Sequence, residues 1–310
     1  MRHGIVIHGG AGTILKSAMT PKLENEYKEA LISAINEGYI ALDMGKSSID
    51  ACIIAVKVLE DFPLFNAGKG SVYNHEGEHD MDASIMNGSD LMAGSISGVR
   101  NIKNPIELAA DIMLHSDHVY LTGKGAEDFG KVRNIAFAPD EYFHSAFRYQ
   151  QYQHALKNDE VFLDHSDQKF GTVGAVAIDK NGTLCAATST GGMTNKKYGR
   201  VGDSALIGAG TYANNETCAV SCTGDGEYFI RAITAYELSA LIEHKGLDLK
   251  SAGDELIHNK MMKIGGEGGL ISIDKKGNYI LPFNCSGMYR GVKMSDETMK
   301  VGIYEGWLTL

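Results

Sequence analysis

The 310 residues predict an α+β fold in one domain, and three observations carry that expectation. Runs with strand-like alternation recur along the chain with helical segments between them, the pattern of stacked layers. No stretch separates two compositions, so no linker marks a second domain. Glycine is abundant at 37 residues and proline scarce at 5, which favours tight turns and close backbone approaches over disorder. An apolar share of 44% with 22% charged residues supplies ample material for a core.

In chain order, GIVIHGG opens with a short β run closed by glycines, read as a buried strand. From Glu24 to Met44, the apolar residues Leu31, Ala34, Ile35 and Leu42 recur at helical spacing, with Gly45 placed to end the helix. Ser48 is expected to cap a second helix running from Ala51 to Leu59. MDASIMNGSDLMAGSISGV (81–99) reads as two strands around Asn87-Gly88, and 105–116 and 125–133 as two short helices. Residues 138–170 are polar with weak periodicity and are expected to form a surface segment. GAVAIDKNGTLCAATSTGGM (174–193) is a hairpin that GLISIDKKGNYILPFNCSGM (269–288) echoes without gaps. One echo is not an array, so the expectation is two similar hairpins in stacked or adjacent sheets. Between them, residues 216–246 pass from a strand through a glycine turn into a helix.

A net charge of −10 offers no basic stripe for nucleic acid, and no run of about 18 apolar residues spans a membrane. The N-terminal apolar run is too short for a signal-peptide core, and the five cysteines form no CxxC pair. Reduced thiols in a cytoplasmic protein are expected. Gly45-Lys46-Ser47 resembles the end of a phosphate loop, but Ile40 stands where its first glycine belongs, and a helix precedes the motif. His165-Ser166-Asp167 gathers triad residue types without triad geometry. Among 11 histidines none has HExxH spacing, so no catalytic metal or cofactor is expected.

The chemistry concentrates between 171 and 227. Arg200 and Asp203, each next to glycine, could clamp a zwitterion through carboxylate and ammonium, or could form a plain loop ion pair. Thr223-Gly224 ends a strand with a hydroxyl and backbone N–H groups, suited to an oxyanion and equally to an ordinary turn. These hydroxyls lack a histidine base, and a neutral threonine hydroxyl is a weak nucleophile. Cutting the Gly171–Thr172 bond would remedy that. The new α-amino group, with a pKa near ~7.7–8.0, can act as the base for its own hydroxyl.

Eight ordered blocks then carry a resemblance over nearly the whole chain: HGGAG (8–12), NAGKGS (66–71), MDASIMNG (81–88), GTVGAVA (171–177), TSTGGMTNK (188–196), GRVGDS (199–204), GAGTYA (208–213) and SCTGDGE (221–227). The chain resembles the plant-type asparaginase/isoaspartyl peptidase family of N-terminal-nucleophile hydrolases. The resemblance implies a four-layer αββα sandwich, made as a precursor that cuts itself into 1–171 and 172–310. Two such pairs would form a dimer acting on asparagine and β-aspartyl dipeptides.

It implies Thr172 as nucleophile in both reactions, with Thr190 hydrogen-bonded near it. Thr223 and Gly224 would form the oxyanion hole, and Arg200 and Asp203 would hold the substrate's α-carboxylate and α-ammonium. Asn66 would order the site, while Gly9 and Gly10 would line the cleavage region. Asp225 stands where the family varies, and reads as a solvent-facing turn residue or as one that tunes the leaving-group side. The main-chain carbonyls of Leu59, Glu60, Phe62, Phe65, Ala67 and Lys69 correspond to a loop that holds a structural Na⁺ in relatives. Two alternatives remain open on the sequence: a related aspartylglucosaminidase, and an unprocessed homologue without activity.

Overall fold

The computed structural model describes residues 2–158, 161 and 171–310. His165-Ser166-Asp167 and the rest of 162–170 lie outside the described residues. Among those described, the strands in chain order are β1 (Gly4–Gly12), β2 (Met81–Asn87), β3 (Ala93–Val99), β4 (Tyr120–Thr122), β5 (Val173–Ile178), β6 (Leu184–Thr190) and β7 (Thr211–Ala213). They continue as β8 (Cys218–Gly224), β9 (Gly268–Asp274), β10 (Tyr279–Ile280), β11 (Gly287–Met294), β12 (Lys300–Gly302) and β13 (Leu308–Thr309). One sheet has the order β13-β12-β11-β1-β5-β6-β2-β3-β4, and the second β10-β9-β8-β7.

Both faces of the central strands are buried, so they read as continuous apolar runs. In β1, β5 and β6 the odd-numbered Ile5, Ile7, Ala175, Ala177, Cys185 and Ala187 pack into the core under the helices. The even-numbered Val6, Val176, Ile178, Leu184 and Ala186 pack instead with Ala219, Ile271 and Ile273 of the second sheet. A third core lies on the far side of that sheet, where Cys218, Val220 and Cys222 meet helical residues such as Leu238, Leu241 and Leu256. Three cores separate four layers, the expected αββα sandwich.

Helices α1 (Pro21–Asp43), α2 (Ser48–Asp61) and α3 (Pro105–His115) cover the large sheet. Ser47 rather than Ser48 caps α2. Its side chain accepts the Asp50 N–H while Asp50 answers back to the Ser47 N–H, a reciprocal box that only the earlier serine can close. Helix α4 (Gly123–Val132) comes next, then α5 (Asp140–Phe143) and α6 (Ala146–Asn158).

The last two lie within the 138–170 segment expected at the surface, where most described side chains are exposed or partly so, and add helices that weak periodicity did not announce. Their periodicity is weak because a buried α6 side chain is an arginine. Arg148 is 1% exposed and donates to the carbonyls of Gly70 at 2.9 Å and Leu64 at 3.3 Å. Helices α7 (Gly226–Ala232), α8 (Thr234–Lys245) and α9 (Leu249–Asp254, continued by a wide turn to Ile264) cover the second sheet. Five cysteines are free, and no helix among the described residues is long and apolar enough to cross a membrane.

Candidate active site

The period of two that builds the cores also aims the polar side chains. On β1, β2, β5 and β6, the even positions face the second sheet, and on β8 the odd positions face back. His8, Ser84, Gly174, Thr188, Thr190, Ser221 and Thr223 therefore meet in the seam between the sheets, and Thr172 shares that parity just before β5. The register of β5 on β6 (Gly174↔Thr188) and of β8 on β9 (Thr223↔Gly269) fixes their heights.

At one end of the seam is a small cleft of about 40 Å³ lined by Asn66, Gly171, Thr172, Thr190, Arg200, Asp203, Ser204 and Gly224, among others. Gly10 holds Gly171 close. A Cβ on Gly10 would stand 2.7–2.9 Å from the Gly171 backbone, and its φ of +113° already favours glycine. Thr223 closes the other side. Its Oγ1 lies 2.6 Å from where a Gly171 Cβ would be, and accepts the Ala11 N–H at 3.1 Å. Asn66 staples the turn after β6, donating to the Gly192 carbonyl at 2.7 Å and accepting from Val72 N–H at 3.1 Å. Thr190 lines the same cleft, and its Oγ1 accepts the Gly192 N–H at 3.0 Å.

Four features escape a sequence reading. Ser204 supplies the hydroxyl beside the candidate nucleophile, with Ser204 Oγ 3.2 Å from Thr172 Oγ1. His8 lies fully buried, donating from Nδ1 to the Thr172 carbonyl at 2.9 Å. Burial pushes its pKa down to about 3, so the imidazole is neutral. Lys196, 2% exposed, props the Gly191–Gly192 turn by donating to the Gly191 carbonyl at 2.9 Å. Glu227 takes the Arg200 fork, with Nε at 2.8 Å and Nη2 at 2.6 Å.

Arg200 and Asp203 both converge on Gly226, where a Cβ would be 2.9 Å from Arg200 Nη2 and from Asp203 Oδ1. Asp203 is 4% exposed, and its Oδ2 has no hydrogen-bond partner among the described residues. Burial raises its pKa to about 7, against the pull of Arg200. An unpaired buried carboxylate is costly, and a cationic ligand group would relieve it. The half-buried Asp225 is likewise raised, to about 6, first by burial and then by Glu227.

The Leu59–Lys69 loop runs from the end of α2 beneath the site. The carbonyls of Leu59, Phe62, Phe65 and Ala67 accept backbone N–H groups within the loop, each using one of two lone pairs. Cβ atoms on Gly68 and Gly70 would stand 2.7 Å from the Glu60 carbonyl oxygen and 2.0 Å from that of Phe65. Glycines thus leave these oxygens room, and a set of neutral carbonyls suits a hard cation. Burial raises the pKa of the nearby Glu60 carboxyl to about 8. No cluster of three or more metal-ligating side chains occurs among the described residues.

A family profile described as Asparaginase matches residues 1–303. The isoaspartyl peptidase of Escherichia coli (strain K12) is 47% identical over 306 residues, covering 97% of this chain and 95% of that protein. The isoaspartyl peptidase/L-asparaginase of Xenopus laevis is 41% identical over 311 residues, covering 99% and 96%. The probable isoaspartyl peptidase/L-asparaginase 2 of Arabidopsis thaliana is 38% identical over 325 residues, covering 97% and 98%. With the sandwich and the seam described above, these matches mean that the chain belongs to the asparaginase family of the N-terminal-nucleophile hydrolase fold.

Proposed function

We propose that this chain is an isoaspartyl peptidase/L-asparaginase that matures by cutting itself between Gly171 and Thr172. The observation that carries the reading is one cleft holding the Gly171–Thr172 pair beside an arginine and a buried carboxylate with an unpartnered oxygen. In maturation, Thr172 Oγ1 attacks the Gly171 carbonyl carbon, and the C–N bond breaks to leave an ester and a free α-amino group. Water opens the ester, giving chains 1–171 and 172–310.

In turnover, that amino group accepts the Thr172 hydroxyl proton as Oγ1 attacks the side-chain carbonyl of the aspartyl substrate. The proton passes to the departing ammonia or amino acid. Water then hydrolyses the β-aspartyl ester and L-aspartate leaves. Because Thr223 Oγ1 already accepts from Ala11 N–H, its own proton is left to donate to the developing oxyanion, beside Gly224. Loss of one such donor costs about 10²–10³ in rate. Arg200 takes the α-carboxylate and Asp203 the α-ammonium, while Asn66 and Thr190 keep the 190–192 turn in place. The clamp reads only the aspartyl half, so β-aspartyl dipeptides with varied leaving residues should be accepted, and free asparagine used less well.

Purified protein should give two bands of about 18 and about 15 kDa, from a 33.4 kDa chain divided after residue 171. Thr172→Ala should give one uncut band and no hydrolysis of either substrate class. Cutting or turnover that survives this change would refute the shared-nucleophile reading. Three further proposals go with it. Two cut pairs associate into a dimer, which light scattering would report as the mass of two chains. A Na⁺ ion is held by the 59–69 carbonyls, so melting temperature should rise with NaCl but not with choline chloride. The protein acts in the cytoplasm, supported by its free cysteines and checked by cell fractionation.

A further inference from the structure

The β1/β5 register runs from Gly4↔Ile178 to His8↔Gly174 and stops there, just where β1 bulges against β11 between His8 and Gly10. Beyond that end, the Thr172 carbonyl accepts from a side chain, His8 Nδ1 at 2.9 Å. A carbonyl can only accept, so the proton sits on Nδ1 and Nε2 is bare. Ser221 Oγ, 2.9 Å away, must then donate to Nε2.

The direction continues through a buried chain. Thr188 Oγ1 lies 2.7 Å from Ser221, Thr211 Oγ1 lies 2.5 Å from Thr188, and Ser84 Oγ lies 2.7 Å from Thr211. All four hydroxyl residues are 0% exposed and come from β2, β6, β7 and β8. Once Ser221 donates to His8, Thr188 can donate to Ser221 and Thr211 to Thr188, so these three hydroxyls point one way toward the imidazole. The far end returns to the nucleophile. Ser84 has one proton and the Ser204 carbonyl 2.6 Å away can only accept it, so the run toward the imidazole begins at Thr211, while Ser204 Oγ is 3.2 Å from Thr172 Oγ1. Gly174 makes the space, since a Cβ there would stand 2.1 Å from Ser221 Oγ and 2.4 Å from His8 Nε2.

We propose that His8 is a positioning residue for Thr172, its tautomer set by the Thr172 carbonyl and supported from the other side by the Thr211–Thr188–Ser221 hydroxyls. This rests on Thr172 being the nucleophile. Cutting after Gly171 removes the covalent tether on the amino side, and a free chain end frays unless it is tied down. The His8 bond to the carbonyl and the Ser204 contact with the hydroxyl then hold the residue, so that amine, hydroxyl and substrate carbonyl stay aligned. His8 takes no proton from the hydroxyl.

Asparagine and glutamine separate the two sides of the imidazole. His8→Asn keeps a donor at the Nδ1 position, and His8→Gln reaches only the Nε2 position. On mature protein, His8→Gln and His8→Ala should lower kcat about a hundredfold, as misalignment by about 1 Å does, with KM changed less than about threefold. His8→Asn should recover to within about tenfold of the native kcat. Native kcat in a folded His8→Ala, or recovery by glutamine rather than asparagine, would overturn the proposal. Should the variants fail to fold, ¹⁵N shifts of the native His8 ring decide: Nδ1 protonated with Nε2 bare supports it, and the opposite tautomer overturns it. Activity in Thr172→Ala would sink the nucleophile reading separately, whatever the His8 variants do.

Discussion

The hairpins starting at Val173 and Gly268 share a turn and end in different places. In the first, Asp179 Oδ1 accepts the N–H groups of Asn181 and Thr183, and Gly182 closes the turn at φ +85°. In the second, Asp274 Oδ1 accepts those of Lys276 and Asn278, and Gly277 closes it at φ +80°. The pairing beside each turn also agrees, Ile178↔Leu184 against Ile273↔Tyr279. Beyond that they part. β6 stays on its ladder as far as Thr190, opposite Asp82 of β2, and so delivers Thr190 and the Gly191–Gly192 turn to the cleft. β10 is regular for two residues only, since Pro282 stands where Ala187 does and brings no N–H, although its carbonyl still accepts from Leu270 N–H and Phe283 bridges Gly269. The chain then crosses to β11 in the other sheet. The turn is local chemistry and repeats, whereas the use of each hairpin depends on distant partners.

Adding one methyl at the matched positions Gly174 and Gly269 should expose that difference most strongly. Gly174→Ala pushes into Ser221 Oγ and His8 Nε2 and should lower kcat about a hundredfold. In Gly269→Ala the methyl meets the Pro282 carbonyl oxygen at 2.7 Å, Met288 Sδ at 2.8 Å and Phe283 Cβ at 2.8 Å. That is a packing cost, so the melting temperature should fall while the folded fraction keeps its kcat. Equal kcat losses at equal stability would remove the distinction.

The exits of the two hairpins differ as well. The first leads into Arg200 and Asp203, and a raised Asp203 pKa gives this exit a pH signature. Burial favours the protonated acid in the free protein, so free-protein stability is fullest at low pH and diminishes as pH rises through about 7. Binding runs the other way, because an α-ammonium needs the carboxylate. L-Aspartate affinity, measured by calorimetry on mature protein, should weaken about tenfold for each pH unit below 7. Flat affinity from pH 5.5 to 7.5 would break the assignment of Asp203 to the ammonium.

These contrasts also set what was legible in the sequence. Helices α1 to α3, both hairpin turns and the Arg200/Asp203 pair announce themselves within a few residues, through spacing, glycine placement and charge. The αββα layering came from the ordered family blocks, which also made Thr172, already a candidate for want of a histidine base, the proposed nucleophile. His8 sat in one of those blocks without a role, because its partners Thr172 and Ser221 are 164 and 213 residues away. Strand register, not local pattern, brings them together. Glu227 was hidden similarly: a glutamate in a glycine turn carries no mark of the arginine 27 residues earlier that it holds. Helix α6 was missed because its buried Arg148 breaks the apolar stripe that periodicity seeks.

The smallest expected effect lies at the shared turn, where the two aspartates differ in one partner. Asp179 accepts from Asn181 and Thr183 and also, through Oδ2, from Ser48 N–H at 3.2 Å in the first turn of α2. It is 3% exposed, so truncation strands three backbone donors with little access to water. Asp274 holds the same two turn N–H groups, but its third bond is to the exposed Asn278 side chain, which water can replace. Asp179→Ala should therefore cost about 2 kcal/mol in urea unfolding, and Asp274→Ala about 1 kcal/mol. Equal costs would mean that the Ser48 contact adds nothing. A larger cost at Asp274 would mean that the turn matters more to the second sheet, where Pro282 interrupts the pairing of β10 with β9.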